Sequence, residues 1–236
     1  MIDDLNIENV LFLDIETVPA TPDYNSLDET MRTLWDKKAG IIGKNDPEQT
    51  PADLYERAGI YAEFGKIVCI SCGFMRGSTF RVKSFYGDYE EDILKNFASL
   101  LTRSYSIDKY KLCAHNGKEF DFPYISRRML INGVKLPPIL NAAGKKPWEV
   151  KHLDTMELWK FGDYKHYTSL ELLAAIFGIP TPKDDIDGSQ VGEVYWKEKD
   201  LKRIVTYCEK DVLTTAQLLR RYMGLPLIKN DNVVSV

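Results

Sequence analysis

Apolar and polar positions recur along this chain with two periods, and together they predict strands interleaved with helices. Val10-Leu-Phe-Leu-Asp14 is a β-prone run ending in an acid, and Ile15-Glu16-Thr17 continues it until Pro19 and Pro22 end the strand. Gly65 to Phe74 is a strongly apolar strand. Gly77-Ser78 turns it back into Thr79 to Tyr86, where apolar and polar residues partly alternate, so the sheet contains an antiparallel hairpin. Within residues 88 to 104, Ile93, Leu94, Phe97, Leu100 and Leu101 recur at helical spacing. Tyr110 to Ala114 reads as a short buried strand and Lys151 to Asp154 as another. Residues 122 to 132 read as a helix with Asp121 near its N-terminus, where negative charge is favoured. The last long helix carries Ile204, Tyr207, Cys208, Asp211, Val212, Thr215, Leu218 and Leu219.

Between the first strand and Gly65, residues 20 to 64 read as a helical insertion. Ser26-Leu-Asp-Glu29 has the S-x-x-E capping pattern ahead of Met31, Leu34 and Trp35, and Thr50-Pro51-Ala-Asp53 begins a second helix. The insertion is either an amphipathic packing element or, given its place beside the acidic strand, a cap facing the substrate. Asp154-Thr-Met-Glu157 reads as a helix cap rather than a metal site, and Thr168-Ser-Leu-Glu171 opens the next helix. Residues 133 to 150 are a Pro-, Gly- and Lys-containing connection, and Pro180 to Gly188 form a polar loop whose Asp184, Asp185 and Asp187 are expected to be solvated. Strands alternating with helices around one hairpin predict a mixed α/β layered domain over residues 1 to 225, followed by a frayed tail at 226 to 236.

Composition narrows the class. With 236 residues and 44% hydrophobic content the chain can bury one core with insertions. No apolar stretch reaches the 18 or more residues of a membrane span and no signal peptide follows Met1, so the expected location is cytoplasmic, with no membrane partner. Cysteines 69, 72, 113 and 208 suit reduced core thiols. Cys69-Ile-Ser-Cys72 is formally C-x-x-C but has no second pair or His cluster to complete a zinc site. A formal charge of −4 argues against coating duplex nucleic acid by phosphate attraction, though not against gripping a few phosphates in a cleft. Neither G-x-G-x-x-G nor a P-loop occurs.

The candidate chemistry lies in the acids. A strand's period of two puts Asp14 and Glu16 on one face, roughly 7 Å apart. Either this is an edge strand running out into solvent, or two buried like charges require a hard divalent cation such as Mg²⁺ or Mn²⁺ between them. Downstream, an acid follows His115-Asn116-Gly-Lys-Glu-Phe120-Asp121, and Tyr207 and Asp211 lie one turn apart on a helix face.

In that order, Leu13-Asp14-Ile-Glu16-Thr17, His115 to Asp121 and Tyr207-Cys-Glu-Lys-Asp211 resemble the three motifs of the DEDD superfamily of 3′-5′ exonucleases over residues 9 to 222. Tyr207 four before the last acid, with Thr206 where the histidine variant has His, matches the tyrosine (DEDDy) branch. Lys183 to Val191 is most similar to the proofreading exonuclease domain of family B DNA polymerases, in the form of a stand-alone relative. The resemblance implies a ribonuclease-H-like mixed five-stranded sheet flanked by helices. It implies two Mg²⁺ or Mn²⁺ ions roughly 3.5–4 Å apart, Asp14, Glu16, Asp121 and Asp211 as their ligands, and Tyr207 to position the attacking water. It places the substrate's 3′ end against Thr17, His115, Asn116 and Phe120, although His115 also reads as a satisfied strand-end histidine and Phe120 as core. Arg127, Arg128, Lys145, Lys146 and Lys151 either steer the phosphate backbone or form a solvated basic face.

The expected activity is metal-dependent removal of nucleoside 5′-monophosphates from the 3′ end of single-stranded nucleic acid, DNA rather than RNA. A polymerase or repair protein is the expected partner. Two alternatives stay open: a non-catalytic nucleic-acid-binding or partner-docking module, and a phosphodiesterase confined to short oligoribonucleotides.

Overall fold

The computed structural model describes residues 2, 4–44, 46, 48–163, 167–180 and 186–236. Its sheet is built from β1 (Val10–Pro19), β2 (Gly65–Arg76), β3 (Thr79–Tyr86), β4 (Lys111–Ala114), β5 (Leu153–Asp154) and β6 (Val233–Ser235), in the order β5-β4-β1-β2-β3-β6. β1 is central and buried. It pairs antiparallel to β2 and parallel to β4, so the acids that follow Leu13 belong to an interior strand and not to an edge. The helices are α1 (Glu29–Ile42), α2 (Pro51–Leu54), α3 (Glu90–Ser104), α4 (Asp121–Ile131), α5 (Thr155–Lys160), α6 (Leu170–Ile176), α7 (Val191–Glu193) and α8 (Leu201–Tyr222). None of them is long and apolar enough to cross a membrane.

Alternation along β1 divides the core. Leu11, Leu13 and Ile15 pack with Leu94, Phe97, Phe122 and Ile125 of α3 and α4. Val10 and Phe12 pack with Val212, Ala216 and Leu219 of α8, and Val18 with Ile204 and Cys208. Even-numbered positions of β1 therefore face α8, and Asp14 and Glu16 go with them. The same alternation separates Cys69 from Cys72, which enter clusters on opposite faces of β2 and remain free thiols.

Two helix starts fall beside the expected ones. Asp28 rather than Ser26 caps α1, accepting from the Met31 N–H at 2.8 Å, because Ser26 is held in a preceding turn by Asp23. Ser169 rather than Thr168 caps α6. Thr50 and Asp53 form the expected capping box, with Pro51 at the first helical position. The insertion has its own core around fully buried Trp35, whose ring meets Tyr55 and Phe64 edge-on and whose Nε1 donates to the Pro51 carbonyl at 2.7 Å. It clamps the end of β1 through Gly59, where a Cβ would lie 3.0 Å from the Val18 carbonyl carbon.

The tail is ordered, contrary to the frayed end expected. The buried Gln217 amide accepts from the Ile228 N–H at 2.8 Å and donates to its carbonyl at 2.9 Å, a side chain standing in for a strand partner. β6 then lies parallel to β3 and covers that edge, a sixth strand beside the five expected. Residues 183 to 185, in the loop thought similar to polymerase exonucleases, lie outside the described residues.

Arg128, a candidate for steering phosphate, is instead a structural cation whose side chain is only 11% exposed. Its guanidinium donates to both Glu90 oxygens at 2.8 and 2.5 Å and to the Ala62 carbonyl at 2.8 Å, while Glu90 also accepts from the Ile67 N–H at 2.7 Å. One ion pair thus joins α3, α4, β2 and the insertion. Removing one partner strands the other charge, so Arg128→Met is expected to destabilise by about 3–5 kcal/mol. That corresponds to a fall in Tm of roughly 6–20 °C for a chain of this size. Glu90→Gln combined with Arg128→Met should recover part of the loss in thermal unfolding, and an unchanged Tm for the single variant would contradict this role.

Candidate active site

The acids converge within β1, on its face toward α8. Glu16 is buried and Asp14 half-buried. On α8, Tyr207 and Asp211 stack one turn apart, and the phenol hydrogen-bonds the Asp211 carboxylate. Asp121 is the first residue of α4 and is 3% exposed. Three segments more than a hundred residues apart at the extremes thereby deliver four carboxylates and a phenol to one place. A carboxylate oxygen from each of Asp14 and Glu16 and the Cys208 Sγ lie within 4.8 Å of one another. Asp121 and Asp211 stand outside that tightest group, yet close enough for their charges to act on both Asp14 and Glu16.

The electrostatics follow from that crowding. Burial raises the pKa of Asp14 and Glu16 well above the ordinary carboxylate range, and the neighbouring acids raise them further. Burial likewise pushes Asp121 up to about 8, partly opposed by backbone N–H groups of Asp121 and Ile15. The charges that act most on Asp14 and Glu16 are all negative, and Asp121 Oδ1 is buried with no hydrogen-bond partner. Clustered oxygen donors with an unpaired buried lone pair fit a hard divalent cation. Tyr207 is raised above the usual phenol value, by burial first and then by Asp211, Glu16 and Asp14, so its proton is held.

A second set of contacts fixes the loop that delivers Asp121. Asn116 has φ 61°, a left-handed conformation that Asn tolerates. Asp154 accepts from the backbone N–H of Asn116 and of Lys118, both at 3.0 Å, and from those of Met156 and Glu157 at 2.9 and 3.2 Å. Asp154 is therefore the expected helix cap and also the anchor of the 116–118 turn, a role that a capping pattern does not announce. Gly117 admits no side chain, since a Cβ would sit 2.4 Å from the Ala114 Cβ. Cys208 was read only as a core thiol. Its Sγ lies 3.3 Å from Asp14 Oδ2, and the available signal was its position three before Asp211 on the same helix face.

The residues expected at the substrate's end divide. Both ring nitrogens of His115 are engaged: Nε2 donates to the Thr168 carbonyl and Nδ1 accepts from the Thr155 hydroxyl, both at 2.9 Å. Burial lowers its pKa, so the ring is neutral and satisfied, and it offers no free nitrogen to a ligand. Asn116 keeps a buried, unpaired Oδ1. Phe120 is half-buried against the α3–α4 core, 5.3 Å from the Tyr124 ring. Thr17 follows a β-bulge, in which β1–β2 pairing passes from Glu16↔Cys69 to Thr17↔Ile67 and skips Val68.

Residues 60–227 match the family described as "Predicted 3'-5' exonuclease related to the exonuclease domain of PolB". The chain belongs to this exonuclease family. A curated relative, a DNA polymerase of Pyrococcus glycovorans, is 23% identical over 149 residues, which is 58% of this chain and 18% of the polymerase. The chain thus spans less than a fifth of that relative's length. The family B DNA polymerase of Pyrobaculum calidifontis shares the fold, with a TM-score of 0.52 at 18% identity over 89% of this chain and 24% of that one.

For this member of the PolB-related family, crowding sets a stability test. A carboxylate whose folded pKa is raised opposes folding at pH values above its unfolded pKa, so at neutral pH a neutral isostere relieves the strain. In metal-free protein, Asp14→Asn should raise Tm by several degrees, each kcal/mol being worth about 2–4 °C here. Millimolar Mn²⁺ should raise the Tm of the wild type more than that of the variant. A lower Tm for metal-free Asp14→Asn would mean that the carboxylate is paired rather than crowded.

Proposed function

We propose that the protein is a metal-dependent 3′-5′ exonuclease that hydrolyses phosphodiester bonds from the 3′ end of single-stranded nucleic acid, DNA in preference to RNA, releasing nucleoside 5′-monophosphates. The observation that carries this reading is the convergence of Asp14, Glu16, Asp121 and Asp211, with Tyr207 beside them, along one face of a buried strand. Membership of a family related to a polymerase exonuclease domain supports it, and a polymerase or repair protein remains the proposed partner class.

In this reading Asp14, Glu16 and Asp211 hold one divalent cation, and Asp14 and Asp121 a second. Bound Mg²⁺ or Mn²⁺ supplies a hydroxide at neutral pH and offsets negative charge on the attacked phosphate and the leaving 3′-oxygen. The reaction forms a new P–O bond to water's oxygen and breaks the bond to the 3′-oxygen of the penultimate nucleotide, which leaves protonated. Tyr207 orients the attacking water by hydrogen bonding, because a phenol, with an ordinary pKa near 10, is a poor base at neutral pH. Asn116 Oδ1 and the Thr17 backbone are the proposed contacts to the terminal sugar. His115 positions the loop from behind through Thr155 and Thr168.

With Mg²⁺ or Mn²⁺ present, a 5′-labelled single-stranded 20-mer is expected to shorten stepwise from its 3′ end, and chelation should stop it. Asp14→Ala or Asp211→Ala should reduce the rate by at least about 10³-fold, the scale of a lost transition-state charge partner. Tyr207→Phe should lose roughly 10²-fold, within the range of a positioned proton-transfer or orienting group. Activity that survives chelation would overturn the mechanism. Inactivity on DNA and RNA alike would favour a non-catalytic module.

A further inference from the structure

Between α8 and the sheet, a polar row separates two apolar clusters. Phe12, Val82 and Val212 pack on one side of it, and Val18, Val68, Ile204 and Cys208 on the other. Strand pairing sets Asp14 opposite Ser71 and Ser71 opposite Ser84, across β1, β2 and β3. Residues directly opposite one another in antiparallel strands share a face, so both serines follow Asp14 toward α8.

Hydrogen bonds link the row to the helix. Glu209 of α8 accepts from Ser84 Oγ at 2.6 Å, and with that proton committed the Ser71 hydroxyl, 2.8 Å away, donates to Ser84 Oγ. At the other end Cys69 Sγ lies 3.5 Å from Ser71 Oγ, and Cys69 is hydrogen-bonded to Cys208, whose thiol donates to Asp14 Oδ2 at 3.3 Å. Ser71 is fully buried, and Ser84 and Glu209 are half-buried. Packing alone does not call for this row, because apolar groups of the same shape in place of a hydrogen-bonded pair are close to neutral in stability.

The position of Glu209 on α8 ties the row to the acids. At about 100° of rotation per residue, Glu209 points about 160° away from both Tyr207 and Asp211. Cys208 and Val212 lie between these directions, packed against the sheet. The helix is therefore held by Glu209 on one flank and presents Asp211 and Tyr207 on the other. Turning it far enough to break the Glu209–Ser84 bond swings Asp211 away from Asp14 and Glu16. We propose that Glu209, acting through Ser84 and Ser71, is a positioning residue that fixes the rotation of α8 and so sets Asp211 and Tyr207 against Asp14 and Glu16; the inference rests on the reading of these acids as a metal-dependent exonuclease centre. Hydrogen-bonded groups behind a ligand set typically carry 10–100-fold in metal affinity or activity.

The test compares wild type, Ser84→Ala, Glu209→Met and Glu209→Gln. Mn²⁺ binding to substrate-free protein is followed by the electron paramagnetic resonance of the free ion, beside kcat and KM on a single-stranded 20-mer and the Tm of each protein. Gln keeps an oxygen that accepts from Ser84, whereas Met keeps the bulk and has none. Mn²⁺ affinity and kcat are expected to fall at least about tenfold in Ser84→Ala and Glu209→Met with KM within about twofold, while Glu209→Gln stays within about threefold of wild type. Because Gln also lacks the charge, this pattern separates positioning from electrostatics acting through space. Ser84→Ala removes only a hydroxyl and decides the outcome if Glu209→Met does not fold. Wild-type Mn²⁺ affinity and kcat in these two variants, whether or not Tm falls, would overturn the proposal and leave a structural role only. An equal loss in Glu209→Gln would overturn it as well. Wild-type protein that binds Mn²⁺ yet shortens no strand would sink the exonuclease reading and leave the affinity comparison to decide the positioning role; wild-type protein that binds no Mn²⁺ would overturn both.

Discussion

Negative charge gathered on one face of a buried strand is the constraint on which this structure turns. Asp14 and Glu16 leave β1 on the face that meets α8, Asp211 approaches from that helix, and Asp121 arrives at the start of α4. Burial raises the pKa of Asp14, Glu16 and Asp121, and the charges of Asp121 and Asp211 raise those of Asp14 and Glu16 further. Such a cluster survives only in a frame rigid enough to hold it, and the frame is visible. β1 is paired on both sides, Asp154 ties the 116–118 turn, Gly117 lets that turn approach Ala114, and the Arg128–Glu90 pair binds α4 to α3 and β2.

α4 is the element with two tasks. Its first residue joins the acids and its second lines an apolar cleft. The insertion packs against the other end of the site, with Gly59 against Val18 and Tyr124 donating to the Gly59 carbonyl at 2.7 Å. Its core around Trp35 makes it a packing element in its own right.

Much of this was legible in the residues. The period of β1, the hairpin at Gly77-Ser78, the Thr50–Asp53 box and the i, i+4 spacing of Tyr207 and Asp211 all depend on local geometry, which sequence carries directly. What escaped depends on distant partners. Nothing near Arg128 shows that Glu90 will meet it, nothing near Gln217 shows that its amide will hold Ile228, and Asp154 looks like a cap until the 116–118 turn folds onto it. His115 could be read either way because its satisfaction comes from Thr155 and Thr168, which the chain brings back only after β5. Arg127 and Lys145 likewise come to line one cleft only once the 133–150 connection folds beside α4.

The most direct measurement is anomalous diffraction from crystals of the wild-type protein soaked in Mn²⁺. The account predicts anomalous peaks bounded by Asp14, Glu16, Asp121 and Asp211, lost in crystals of Asp14→Ala. Manganese bound elsewhere, with those four carboxylates unligated at saturating ion, would contradict it.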